Sequence, residues 1–172
     1  RDQLEGLHGP YVVLPSGGSI VINQTEAMVT IDVNSSRAIK EKDIEQTALN
    51  TNLEAAEEIA LQLRLRDLAG IVAIDFIDME DEKNNRKLEQ KMREVMKHDR
   101  ARTQVAKINA FGVLMISRQR MRSSFIESSY VVCPHCMGAG VVPSIQTASI
   151  ILFRHLQEKL LAKPAQKIVM TV

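Results

Sequence analysis

Two short runs of aliphatic and β-branched residues, Val29-Thr30-Ile31 and Ile71-Val72-Ala73-Ile74, flank one long helical pattern, and each run ends in an aspartate, Asp32 and Asp75. That order constrains the chain more than any other feature. Parallel strands cannot be joined by a tight turn and need a crossover, usually a helix. Between the runs, Ile44, Ala48, Leu53, Ala56, Ile59, Ala60 and Leu63 form an apolar helical face. Asp43 with Gln46 approximates a capping box at its start, Arg64 and Arg66 suit the dipole near its end, and Gly70 is expected to stop it. Strand, helix and strand at this spacing predict a βαβ unit inside a parallel or mixed sheet.

The remaining segments fit that frame. Tyr11 to Leu14 is an apolar run stopped by Pro15-Ser16-Gly17-Gly18, and Ser19 to Asn23 and Ala27 to Val33 read as strands. The continuous run from Ile71 to Ile74 reads as a strand covered on both faces. Asp81 to Lys97 is a charged helix with Leu88, Met92, Val95 and Met96 inward, and Thr103 to Ile108 and Gly112 to Ser117 read as two more strands. Ser144 caps a helix running to about Leu161, Pro164 closes it, and Lys167 to Val172 looks like a strand cut short. The fold class is α/β, a mixed sheet with flanking helices.

At 172 residues, 45% hydrophobic and 25% charged, the chain can bury a core and is not disordered. Its net charge of +1 gives no global field for a polyanion, so nucleic acid would need a local patch. No apolar run approaches ~18 residues, so no transmembrane helix is expected. Arg1 to Pro10 lack a signal peptide's apolar stretch and the chain does not begin with Met, which reads as an excised part of a larger cytosolic protein.

If the two runs are adjacent parallel strands, Asp32 and Asp75 emerge together at the carboxyl edge, where open α/β sheets place ligands. Two carboxylates there repel unless a cation lies between them, and Mg²⁺ commonly takes one or two carboxylates and completes its shell with water and phosphate. Asn34, two residues on and on the same side, can orient a water or phosphate oxygen. The competing reading is that these acids are ordinary turn and cap residues. Asp78 and Asp43 are weaker candidates of the same kind.

The two cysteines, Cys133 and Cys136, fall in Cys-Pro-His-Cys-Met-Gly-Ala-Gly. A closed zinc site needs four ligands, and His135 is poorly placed to join them. Cys-Pro-His-Cys also occurs as a redox tetrapeptide, but Met-Gly-Ala-Gly does not start a helix behind it and little chain follows. One repeat of a DnaJ-type zinc region has the same spacing, yet one repeat cannot close a site. A half-site shared between two chains is the third reading.

Six separated stretches resemble the ribonuclease E/G family: Leu14-Pro15-Ser16-Gly17-Gly18-Ser19-Ile20-Val21-Ile22, Ile31-Asp32-Val33-Asn34-Ser35, Asn50-Thr51-Asn52-Leu53-Glu54-Ala55-Ala56, Leu63-Arg64-Leu65-Arg66-Asp67-Leu68, Ile74-Asp75-Phe76-Ile77-Asp78-Met79 and Ser117-Arg118-Gln119-Arg120. The likeness runs in order from about Leu14 to Gly140 and includes the cysteine turn. It implies a bacterial, cytoplasmic endoribonuclease that cuts single-stranded RNA to 5′-phosphate and 3′-hydroxyl ends. It implies a DNase I-like catalytic subdomain over residues 1–130, a zinc link over 131–142 and the start of a small α/β dimerisation subdomain over 143–172.

By the same resemblance Asp32 and Asp75 hold Mg²⁺ with Asn34 in support, and Cys133 and Cys136 hold Zn²⁺ shared between two chains of a homodimer; a dimer of dimers stays open. Arg37, Arg102, Arg118 and Arg120 are candidates to grip the RNA backbone, each equally readable as solvated surface. Two departures bear on substrate contacts: Ala38-Ile39-Lys40-Glu41-Lys42 lacks the glycines many relatives carry, and Met115-Ile116 stands where Glu-Met is common. Aromatic content is 3% with no Trp, so no stacking platform is obvious. The family's S1 and 5′-end-sensing subdomains lie upstream of the matching region, so this chain alone is expected to bind RNA weakly and cleave slowly. A zinc-linked dimerisation module without catalysis is the alternative, and a DNA nuclease a third reading, since fold alone does not tell RNA from DNA.

Overall fold

Alternation decides which face of each strand is buried. In Met28–Asn34 the side chains of Val29, Ile31 and Val33 are buried, while Asp32 and Asn34 between and beyond them are exposed. The computed structural model describes residues 6–35 and 44–162, in two compact units, Arg1–Tyr130 and Val131–Val172. Arg37, the Asp43 cap, the Ala38–Lys42 loop, the Pro164 stop and the strand expected over Lys167 to Val172 lie outside the described residues.

The first unit holds a six-stranded sheet: β1 (Tyr11–Val13), β2 (Ser19–Gln24), β3 (Met28–Asn34), β4 (Gly70–Asp75), β5 (Thr103–Val105) and β6 (Val113–Arg118). Their spatial order is β1-β2-β3-β4-β6-β5. Only β3 and β4 pair in parallel; every other pair is antiparallel. The sheet is therefore mixed and the class α/β, as the sequence implies.

Helix α1 (Ile44–Leu65) is the crossover between β3 and β4, and α2 (Glu82–Met96) follows β4. Ala55, Ala56, Ile59, Ala60 and Leu63 of α1 and Leu88, Met92 and Met96 of α2 join Ile20, Ile22, Ile31, Val72, Ile74, Leu114 and Ile116 of the strands in one core. Each fully buried aliphatic side chain contributes about 1.5–3 kcal/mol. Both helices pack on the same sheet face. On the other, Ile71 is 46% exposed and Ala73 half-buried, so β4 is covered on one face only rather than on both as its apolar run suggests. The reason is topological: the sheet has one parallel crossover, and that places its helix on one side.

Other boundaries follow local chemistry. The crossover helix ends at Leu65, not Gly70: Asp67 takes a left-handed φ of 50° and the Leu68 N–H returns to the Leu63 carbonyl at 3.1 Å, a Schellman-type stop. Ile44, expected inward, is 54% exposed. Asp81 caps α2 by accepting the Lys83 N–H at 2.8 Å. A five-residue helix, α3 (Phe125–Ser129), has a full capping box between Ser124 and Glu127 and is too short to show a period in sequence. In the second unit, α4 (Ile145–Ala162) begins after Ser144, whose Oγ accepts the Thr147 N–H at 3.3 Å. Among the described residues no helix is long and apolar enough to cross a membrane.

Candidate active site at the carboxyl edge of the parallel pair

Asp32 and Asp75 are direct register partners, the last of the five pairs between β3 and β4. Neighbouring strands lie ≈ 4.7–4.9 Å apart, so the two exposed carboxyl groups stand side by side. The Asn34 amide donates from Nδ2 to Asp32 Oδ2 at 2.8 Å. Sequence reasoning gave Asn34 a water or phosphate oxygen to orient; here its amide orients the Asp32 carboxylate instead.

Three sets of contacts shape this edge. Asn34 pairs with Ser19 across β2, and a Cβ on Gly18 would meet Asn34 O at 2.8 Å and Thr51 Cγ2 at 2.9 Å, so only glycine lets the Leu14–Gly18 turn approach the end of β3 this closely. Asn52 of α1, fully buried, donates from Nδ2 to the Ile77 carbonyl and accepts the Ile77 N–H at Oδ1, which pins the chain just past Asp75. Glu45 accepts the Glu80 N–H at 3.0 Å, the Asp81 N–H at 3.3 Å and Asn84 Nδ2 at 2.7 Å. The Asn84 hydrogen bond, then the backbone donors, hold its carboxyl below the usual range. None of Gly18, Asn52 and Glu45 was identified from sequence as a site residue. Asn52 falls inside a stretch that carried the resemblance, and its place mid-helix, where asparagine is unfavourable, was the available signal.

The basic candidates are not brought to this edge. Arg118 pairs with Gly70, at the opposite end of β4 from Asp75. It is buried, donating from Nε to Asp99 Oδ2 at 2.7 Å, from Nη2 to Asp99 Oδ1 at 3.1 Å and from Nη1 to the Leu68 carbonyl at 2.9 Å. Arg102 is exposed at that same far end, beside β5, and Arg120 is held by Glu127. The hollows divide between the two ends of the sheet. One of ≈ 660 Å³, lined by His8, Gln24, Arg66, Arg120 and Glu127, sits at the far end of the parallel pair. Beside the segment that follows Asp75 lies a cleft of ≈ 230 Å³, lined by Ile77, Asp78, Asn85, Asn109 and Gly112, and a hollow of ≈ 830 Å³ adjoins it through Asn85, Asn109 and Ala110.

In the second unit the cysteine turn is closed by the Met137 N–H on the Cys133 carbonyl at 2.8 Å and the Ala139 N–H on the Cys136 carbonyl at 2.9 Å. Backbone N–H groups of Cys136 and His135, with the Cys136 side chain, pull the Cys133 thiol below its ordinary value. Among the described residues no three of His, Cys, Asp and Glu converge on one point. The aspartate pair and the cysteine pair are each two-ligand sets.

Comparison with known proteins gives the family. The model of the Ribonuclease E/G family matches residues 1–121. Ribonuclease E of Escherichia coli K12 is 50% identical over 168 residues, 98% of this chain and 16% of the relative. Ribonuclease E of Haemophilus influenzae is 49% identical over 168 residues, 98% of this chain and 18% of the relative. Ribonuclease G of Escherichia coli K12 is 39% identical over 145 residues, 84% of this chain and 30% of the relative. The chain thus spans under a fifth of the ribonuclease E relatives and under a third of that ribonuclease G. With six matching stretches in order and a family model covering more than half of its length, the chain belongs to the Ribonuclease E/G family.

Proposed function

We propose that this chain carries the catalytic centre of an endoribonuclease that hydrolyses single-stranded RNA, with Mg²⁺ held by Asp32 and Asp75 and 5′-phosphate and 3′-hydroxyl ends as products. The observation that carries the reading is the register of those two aspartates on the one parallel strand pair among the described residues. The donor set fits: two exposed carboxylates with open space in front suit a cation that keeps water and phosphate in its other positions. When bound, the cation neutralises charge on the scissile phosphate and lowers the pKa of a bound water.

The chain's own part is positioning. Asn34 fixes the Asp32 carboxylate through the 2.8 Å bond, leaving the opposite oxygen free to face the site. Asn52 and Glu45 immobilise the segment from Ile77 to Asp81, so Asp75 and Asp78 project from a strand end that does not fray. Pre-set geometry of this kind lowers the reorganisation needed at the transition state. Membership of the family and the names of its ribonuclease relatives support RNA as substrate, and the bacterial cytoplasm as the compartment belongs to the same reading. The test is Mg²⁺-dependent cleavage of a labelled single-stranded RNA by the full-length parent protein carrying Asp32→Asn or Asp75→Asn. Each should abolish cleavage with the circular dichroism spectrum unchanged; activity retained in either removes that residue from the site.

A second role rests on the cysteine turn: Cys133 and Cys136 form half of a Zn²⁺ site that a second copy completes, linking a homodimer. Two thiols three residues apart in one turn are half of a tetrahedral set, and no other cysteine exists in the chain. Native mass spectrometry with metal analysis should find about half a zinc per chain and dimers lost in Cys133→Ser/Cys136→Ser. One zinc per monomer refutes the shared site.

A further inference from the structure

Among the described residues of the first unit, the most exposed large apolar side chain stands on the same edge as the aspartates. Phe111, one of four phenylalanines, is 86% exposed and so gains almost none of the stabilisation that burying its ring would bring. It sits in the turn leading into β6, whose first residue, Val113, is the register partner of Asp75. A Cβ on Gly112 would lie 3.2 Å from Asp78 Oδ1, so this turn touches the segment that follows Asp75.

The turn is built rather than loose. Asn109 Oδ1 accepts the Phe111 N–H at 2.9 Å and the Val113 N–H at 3.1 Å. The Asn109 N–H donates to the Val113 carbonyl at 3.0 Å, and the Gly112 N–H to the Asn109 carbonyl at 3.1 Å. Gly112 adopts a φ of 79°, which the closing residue of such a turn requires. Ala110 and Gly112 line the small cleft beneath the turn, and Phe111 between them stands out into solvent.

We propose that Phe111 is a stacking platform for an unpaired nucleobase next to the scissile phosphate, and that it makes the site prefer single-stranded RNA. This rests on the ribonuclease reading and deepens it. Asp32, Asp75 and Asp78 crowd this edge with negative charge, while Arg118 and Arg120 lie at the other end of the sheet and are engaged by Asp99 and Glu127. A neutral ring can grip RNA where acids surround it, because stacking uses the π-face and not the phosphate. A ring of this kind accepts a splayed base and cannot reach one stacked inside a duplex. Lys107 in the same loop is exposed and can meet the flanking phosphate.

The chain has no tryptophan, so Phe111→Trp installs a unique fluorophore. That variant is titrated at low salt with an oligoadenylate and with a duplex of the same length, Ca²⁺ replacing Mg²⁺ to prevent cleavage. The single strand should quench the indole and the duplex should not. By anisotropy of labelled RNA, Phe111→Ala should bind about ten-fold more weakly with unchanged Tm, and Phe111→Tyr should retain affinity. RNA bound with no indole quenching, or with wild-type affinity by Phe111→Ala, overturns the stacking role and leaves the nuclease reading standing. No RNA binding by the wild-type chain overturns the stacking role, while the nuclease reading stands or falls with the aspartate variants.

Discussion

The carboxamide of Asn52 exchanges two hydrogen bonds with the backbone of Ile77, Nδ2–H to the carbonyl at 2.8 Å and Oδ1 from the N–H at 3.0 Å. One side chain thereby replaces the two bonds a further strand residue would have made, at the point where β4 ends. Asn52→Ala should lower stability by about 2–3 kcal/mol, since it leaves both backbone groups of Ile77 without partners. It should also cut cleavage without touching the aspartates. Denaturant unfolding checks the first effect, and an unchanged midpoint would show that water replaces the amide.

Gly18 makes a second, independent prediction about the same edge. Gly18→Ala must displace the Asn34 carbonyl, 2.8 Å from the new Cβ, and the Thr51 methyl. A destabilisation of about 1–3 kcal/mol is expected, with loss of activity because β3 shifts where Asp32 and Asn34 emerge. Full activity in this variant would mean that the edge tolerates movement.

The aspartate pair should weaken the fold when no cation is present. Like charges placed directly opposite destabilise a strand pair, so Asp75→Asn should raise Tm by about 1–3 °C in chelator. Mg²⁺ should raise the wild-type Tm and leave that of the variant unmoved. Identical Mg²⁺ responses in the two proteins would argue against the shared cation.

Arg118 and Asp99 behave as structure, not as an RNA grip. Their side chains are 4% and 2% exposed, and Arg118→Met leaves a buried charge without its partner, at a cost of about 3–5 kcal/mol. Burial pushes Asp99 upward, but the Arg118 hydrogen bond, the Ala101 N–H and the charges of Arg118 and Arg64 outweigh it and hold the carboxyl below its ordinary 3.8. A folded-state value below the unfolded one means the stabilisation is complete above about pH 4 and fades as pH falls through the folded value. The stability gap between wild type and Asp99→Asn should therefore shrink in that acid window. A gap that persists unchanged there would assign the effect to packing.

What could be read in the sequence and what could not divide along physical lines. Val29 to Asp32 and Val72 to Asp75 were legible because strand alternation is local, and a helical crossover between them left parallel pairing as the simplest solution. The burial of Arg118 is not legible in the sequence because it depends on Asp99, nineteen residues away, a pairing that no local pattern signals. Asn52 looked like one more helix residue, since its partner at Ile77 is brought near only by tertiary packing. The place of Phe111 is not legible in the sequence, because only the pairing of β6 with β4 brings its turn to the edge that carries Asp75.

The register between β3 and β4 has a consequence for folding fidelity. Ile31 and Ile74 face the core while Asp32 and Asp75, one step along each strand, face out. A slip of one residue would carry an acid into the hydrocarbon interior and an isoleucine into water. A misaligned chain therefore disqualifies itself before it can present a distorted catalytic edge, and quality control of the chemistry is delegated to the packing of its neighbours.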